Sequence, residues 1–136
     1  MGDGSEWVSH DKGMTTCKAA IDGAALTIQT LHLIPFRRFD VDPTSAEAEQ
    51  VVSSIENLID GNATPYLLQG DFNHNDLSAL FPTSVAALEE LGGKEPTTPK
   101  GRIYDHVLYR GMEASSVRVD QSVLTDHFPV ITTFEL

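Results

Sequence analysis

The chain has a single cysteine, Cys17, in 136 residues. It can form no internal disulfide, and a lone thiol suits a reducing compartment. Positive charge is also scarce: nine Lys and Arg stand against 20 Asp and Glu, a formal net charge of −11. A surface that holds a nucleic-acid backbone by charge alone needs clustered cations, so that class is disfavoured. Phosphate substrates are not excluded, because a divalent cation can supply the missing charge. No apolar run approaches membrane-spanning length. The opening MGDGSEWVSH carries neither a basic nor an apolar segment, so no signal peptide is expected there. Glu6 breaks the myristoylation pattern where Ser or Thr is needed. A soluble, cytoplasmic protein is expected.

What is present is ordinary globular composition, 40% hydrophobic and 21% charged, enough for one domain with a real core. Residues 1–13 are polar and read as a flexible N-terminus. Two strands are expected at 14–21 and 24–33, joined by Asp22-Gly23, a pair that tolerates positive φ and signals a hairpin. In the second strand Leu26, Ile28, Thr30 and His32 share one face. After the loop IPFRRFDVDP, Thr44 and Glu47 fit a capping box. The helical spacing of Ala48, Val51, Val52, Ile55, Leu58 and Ile59 then runs to Gly61. A buried strand is expected over 65–69 and a second, weaker helix over 84–91. The turn-rich loop KEPTTPKG follows, then strands around 103–109, 115–123 and 128–135. No repeat, linker or low-complexity segment interrupts this order. The fold class is α/β (α+β): a mixed sheet with helices on one face.

Acceptors and imidazoles fall near predicted strand ends at four places: His32, the Asp71/Asn73 pair in LLQGDFNHND, Asp105-His106 and Asp126-His127. Carboxylate and amide oxygens suit a hard cation such as Mg²⁺, and alternation around Phe72 would turn Asp71 and Asn73 to one side. An imidazole beside a carboxylate is the minimum for a general base of fixed tautomer. Together these parts suit hydrolysis of a phosphate ester. Each also has a plain structural reading. A strand-end His is commonly a surface or core residue, Asp-His pairs occur by chance, and Asp71 can close an Asx-turn on its own backbone.

LLQGDFN, YDHVLY and LTDHFPV, in that order and with TLHL upstream, resemble the endonuclease/exonuclease/phosphatase superfamily. The likeness runs from about Met14 to the C-terminus. It implies His127 as the catalytic imidazole that activates or orients the attacking water, with Asp105 holding its tautomer. It implies Asp71 and Asn73 at the scissile phosphate, the nucleophile or a metal, and Asp126 as a metal ligand. His32 takes the second His position, donating to a phosphate oxygen or protonating the leaving group. The implied cofactor is Mg²⁺, with Mn²⁺ an alternative. The implied substrate is a phosphate ester: nucleic acid, phospholipid or small phosphate. Arg37 and Arg38, just beyond His32, are a weak pointer to phosphate. His74, Asp76 and His106 match no catalytic position and are left structural.

The family's full domain is roughly twice this length, a four-layer α/β/β/α sandwich of two similar halves. Residues 14–136 therefore look like its C-terminal half. The N-terminal half supplies an early Asn and a Glu that is a principal Mg²⁺ ligand, and Glu6 does not recreate it. Weak metal binding is expected in consequence. A sheet face left exposed implies a homo-oligomer or a complementing N-terminal half. The alternative function is an inactive or incomplete fragment that acts as a binding or oligomerisation module.

Overall fold

A computed structural model describes residues 12–61, 65–122 and 125–135. Strands β1 (Gly13–Ile21) and β2 (Ala24–His32) form the expected hairpin. Its two-residue turn places Asp22 at φ 49° and Gly23 at φ 86°, the doubly left-handed geometry that Asp-Gly accommodates. Helix α1 (Ala46–Asp60) carries the chain to β3 (Tyr66–Asp71), parallel to β2. A short β4 (Val85–Ala86) and then β5 (Asp105–Arg110) follow. The five strands make one mixed sheet in the order β1-β2-β3-β5-β4. Strands β6 (Glu113–Val119) and β7 (Val130–Glu135) pair separately as an antiparallel ribbon.

The helix covers one face of the large sheet. Ala48, Val52, Ile55 and Ile59 pack with Leu31, Leu33, Tyr66, Leu68 and Leu108 in a single buried cluster. Tyr66 also donates through its hydroxyl to Gln29 Oε1 at 2.8 Å, which satisfies two polar groups inside that layer. On the other face the β6–β7 ribbon covers the β5 end, where Tyr109 and Phe134 meet edge to face with centroids 5.1 Å apart. Leu67 and Val107 join that second cluster. Strands β1 and β2 lie beyond the ribbon, and Thr15, Cys17, Ile21 and Thr30 are exposed on that side. Among the described residues no helix is long and apolar enough to cross a membrane.

Three local expectations are corrected. Ser45 caps α1, accepting from Ala48 N at 3.3 Å. The hydroxyl of Thr44 is instead committed to Asp42 Oδ1 at 2.7 Å. Only the second half of the predicted helix over 84–91 is helical, a five-residue π-helix at Leu88–Gly92; Val85 and Ala86 form β4 and pair with Tyr109 and Leu108 instead. Strand β3 continues through Gly70 to Asp71, so the glycine is inside the strand. Of the expected flexible terminus, Gly13 already belongs to β1. Residues 1–11, including Glu6, lie outside the described residues, as does the last residue of the 115–123 strand.

Candidate active site

Register alone brings three of the singled-out side chains together. His32 on β2 pairs with Asp71 on β3, and Asp71 pairs with Asp105 on β5. Paired residues point to the same face of a sheet, so an imidazole and two carboxylates line up at one sheet end, on the side away from α1. Gly70 permits this alignment. Its φ is +141°, and a Cβ there would lie 1.9 Å from the backbone oxygen of Leu31. Only glycine lets β3 approach β2 this closely one residue before Asp71.

His127 arrives from the loop before β7. Its Nδ1 lies 2.8 Å from Asp105 Oδ2, and its Nε2 lies 3.9 Å from Asp71 Oδ2. His32 Nε2 approaches the same Asp71 oxygen from the other side at 3.3 Å. Asp71 thus sits between two imidazoles. Both histidines are 38% exposed, against 18% and 20% for Asp71 and Asp105. The imidazoles therefore face solvent over a more enclosed acidic floor. Beside them opens a pocket of about 370 Å³, lined by Thr30, Gln69, Phe128 and Pro129. A larger recess of about 470 Å³, between Asn75, Glu89, Lys94 and Ile103, includes none of the four site residues.

Burial is the largest single influence on His127 and pushes its pKa down. The hydrogen bond and charge of Asp105, with the charges of Asp71 and Asp126, outweigh it, and the net direction is upward. A carboxylate bonded to Nδ1 also fixes the tautomer, leaving Nε2 as the basic nitrogen that faces Asp71.

Asp71 has a second duty. Its Oδ1 accepts from Asn73 N at 2.8 Å, so the Asx-turn and the site position coexist in one residue. Asn73 adopts φ 51°, and its Nδ2 donates to Leu33 O at 2.8 Å. That bond ties the loop back to the end of β2. The side-chain oxygen of Asn73 is the atom left for other partners. Phe72, between them, is fully buried. Asp126 is exposed beside His127, with Oδ1 accepting from Thr125 at 3.3 Å. Among the described residues no three His, Cys, Asp or Glu side chains are grouped to hold a metal ion. Asp71 has one oxygen bound to a backbone amide and the other between two imidazoles. The described residues alone therefore do not complete a cation site.

Sequence reasoning missed Lys12, whose Nζ lies 2.5 Å from His32 Nε2. A given tautomer of His32 offers Nε2 either as a donor to Asp71 or as an acceptor for Lys12. Lys12 sits in the segment read as a loose terminus, and only the Gly13↔His32 pairing shows that it reaches the site. His74 and His106, left structural in the sequence reading, both bond to backbone groups. His74 Nδ1 closes a local turn with Asp76. His106 is buried on the opposite side of the sheet, edge-on to Phe72. Its Nε2 donates to the carbonyls of Ile103 and His74, at 2.8 and 3.0 Å.

No family profile matches the chain. It is 29% identical over 122 residues to a UPF0294 protein of Vibrio cholerae, covering 85% of this chain and 42% of that protein. A UPF0294 protein of Vibrio campbellii is 28% identical with the same coverage. The chain thus spans less than half the length of these curated relatives. Among solved structures, an endonuclease/exonuclease/phosphatase family protein from Leptotrichia buccalis superposes with a TM-score of 0.65 at 14% identity, over 90% of this chain and 54% of that one. A humanized D. rerio TDP2 carrying 14 mutations gives 0.63 at 12% identity, over 90% and 60%. The human Nocturnin catalytic domain gives 0.58 at 19%, over 90% and 51%. Over nine-tenths of its length the chain has the fold of endonuclease/exonuclease/phosphatase family proteins.

Proposed function

We propose that the chain belongs to this family by descent as well as by fold, and that its strand-end site hydrolyses phosphate esters. The observation that carries the reading is the 2.8 Å contact between His127 Nδ1 and Asp105, with Asp71 facing the other ring nitrogen. Asp105 holds the Nδ1 proton, so Nε2 is free to take a proton from a water lodged between it and Asp71. That water attacks phosphorus in line with the leaving oxygen. The new O–P bond forms as the leaving P–O bond breaks, and the water's proton passes to His127 Nε2. His32, when protonated, donates to a phosphate oxygen or to the departing alkoxide. Lys12 adds positive charge at the same end of the cleft. Asn73 Oδ1 would orient the nucleophile in this reading.

A divalent cation, Mg²⁺ or Mn²⁺, is the proposed cofactor, with Asp71, Asn73 and Asp126 contributing. The incomplete ligand set implies weak affinity and further ligands from outside the described residues. This favours a second reading, that the chain is one part of a catalytic unit and is inactive alone. The exposed face bearing Cys17 and Thr30 would then receive a second copy or a complementing polypeptide. Light scattering at micromolar concentration tests self-association, and a strictly monomeric species contradicts it. The free, exposed Cys17 supports placement in a reducing cytoplasm.

Turnover of a chromogenic phosphodiester with Mg²⁺ or Mn²⁺, compared with His127→Ala and Asp71→Ala, tests the hydrolase reading. Metal-dependent activity lost in both variants supports it. Activity equal in all three proteins contradicts it. A folded chain with no activity on a broad phosphate-ester panel favours the incomplete-unit reading.

A further inference from the structure

We propose that Thr97 is a positioning residue for the site, one that through its hydroxyl and its backbone carbonyl together registers the segments carrying Asp71, Asp105 and His127 against one another. The inference rests on the His127–Asp105 dyad of the proposed function. Thr97 lies in the turn-rich loop 94–101 and is fully buried. Its hydroxyl oxygen accepts from Tyr104 N at 2.9 Å and from Asp105 N at 3.1 Å. Its backbone carbonyl accepts from Phe128 N at 2.7 Å. One residue therefore holds the amide of Asp105 and the amide that follows His127. The third segment is reached through Tyr104, whose carbonyl accepts from Phe72 N at 2.7 Å, between Asp71 and Asn73.

A threonine hydroxyl has two lone pairs and one proton. Both lone pairs of Thr97 go to the two site-strand amides, and its proton is directed at Arg102 O, 3.4 Å away. Thr98 provides the contrast. Its hydroxyl accepts from Arg102 N at 3.0 Å and serves the loop alone. Catalytic constellations tolerate displacements of only about half an ångström, and no other described residue bonds to both the Asp105 strand and the His127 loop. Valine is nearly isosteric with threonine but offers no acceptor, so Thr97→Val leaves two amides unpaired. Serine keeps the acceptor.

The test is proton NMR of the His127 Nδ1 hydrogen in the whole chain at neutral pH, a readout independent of turnover. The expected result is a downfield, slowly exchanging proton in the wild type, in Thr97→Ser and in Thr98→Val. In Thr97→Val the proton is lost or broadened in a chain whose other core amides stay protected. A bonded proton retained in folded Thr97→Val overturns the inference while leaving the dyad intact. A wild type with no bonded Nδ1 proton removes the dyad itself, and the inference with it. Should Thr97→Val fail to fold, hydrogen exchange in the wild type decides. The amides of Tyr104, Asp105 and Phe128 and the His127 proton are expected to open together, and exchange of the His127 proton uncoupled from those amides overturns the inference.

Discussion

His127 and His106 stand on opposite faces of the same sheet and respond to acid in opposite directions. His127 has its pKa raised, against the pull of burial, by Asp105, Asp71 and Asp126. A base with a raised pKa must be deprotonated to act, so the rate is expected to rise with pH through a midpoint above the ordinary histidine value of 6.5. Asp105→Asn should lower that midpoint as well as the rate, which a pH–rate profile reads directly. The effect on folding runs the other way. The stability His127 contributes is present below the ordinary histidine value of 6.5 and is lost as pH rises through its higher folded value. His106 is shifted down, chiefly by burial. Its neutral ring donates from Nε2, and its buried Nδ1 has no hydrogen-bond partner, so protonation would bury an unpaired donor. Its contribution is full above 6.5 and declines as pH falls from there towards its folded value. Urea unfolding between pH 7 and 5.5 is expected to show a shallower decline in His106→Asn than in the wild type. A parallel decline would contradict the assignment. The Asp-His pairs at 105–106 and 126–127 were legible as candidates, but which imidazole faces the site depended on strand parity and loop path. His106 follows Asp105 by one residue and is turned through the sheet by the pleat.

Elements with a strong local code were legible. The Asp22-Gly23 hairpin and the apolar spacing of α1 gave positions within a residue or two, because turn chemistry and amphipathic period are local properties. The helix start shows how near neighbours can mislead. Thr44 and Ser45 both fit a cap, and Asp42 decides between them by occupying the Thr44 hydroxyl. Ser45→Ala should cost about 1 kcal/mol in thermal or urea unfolding, and Thr44→Ala only a few tenths. Equal costs would restore Thr44 as the cap. The first half of the expected helix over 84–91 gave way to a strand for a tertiary reason. Strand β5 presents an edge that Val85 and Ala86 pair with, and pairing overrides the propensity of SVAALEEL. Gly70 gave no signal beyond its presence in the motif, since its requirement comes from the β2 backbone across the sheet. Gly70→Ala is expected to destabilise the chain by roughly 3 kcal/mol or more, through the clash with Leu31 and the unfavourable φ. An unfolding curve within 1 kcal/mol of the wild type would contradict that packing.

For the whole molecule, topology explains how a chain with net charge −11 can gather the groups of the proposed phosphate-ester site. Two parallel strands end beside the start of an antiparallel third, which gathers Asp71 and Asp105 under two imidazoles and Lys12. The motifs made that meeting readable by resemblance. The contributions of Lys12 and Thr97 were not, because neither belongs to a motif and both act across distant segments. The chain spans 42% of its curated relatives and 51–60% of the solved chains that share its fold. The proposed cation site and the exposed face of β1 and β2 are where the incomplete-unit reading would place a second copy or a complementing polypeptide.

Hydrolysis of a phosphodiester in ¹⁸O-labelled water, by the wild type and His127→Ala in parallel with Mg²⁺ or Mn²⁺, tests water attack at this site most directly. Label in the phosphoryl product, with the rate falling at least about a hundredfold in the variant, is the predicted result. Label in the released alcohol, or equal rates in the two proteins, would contradict it.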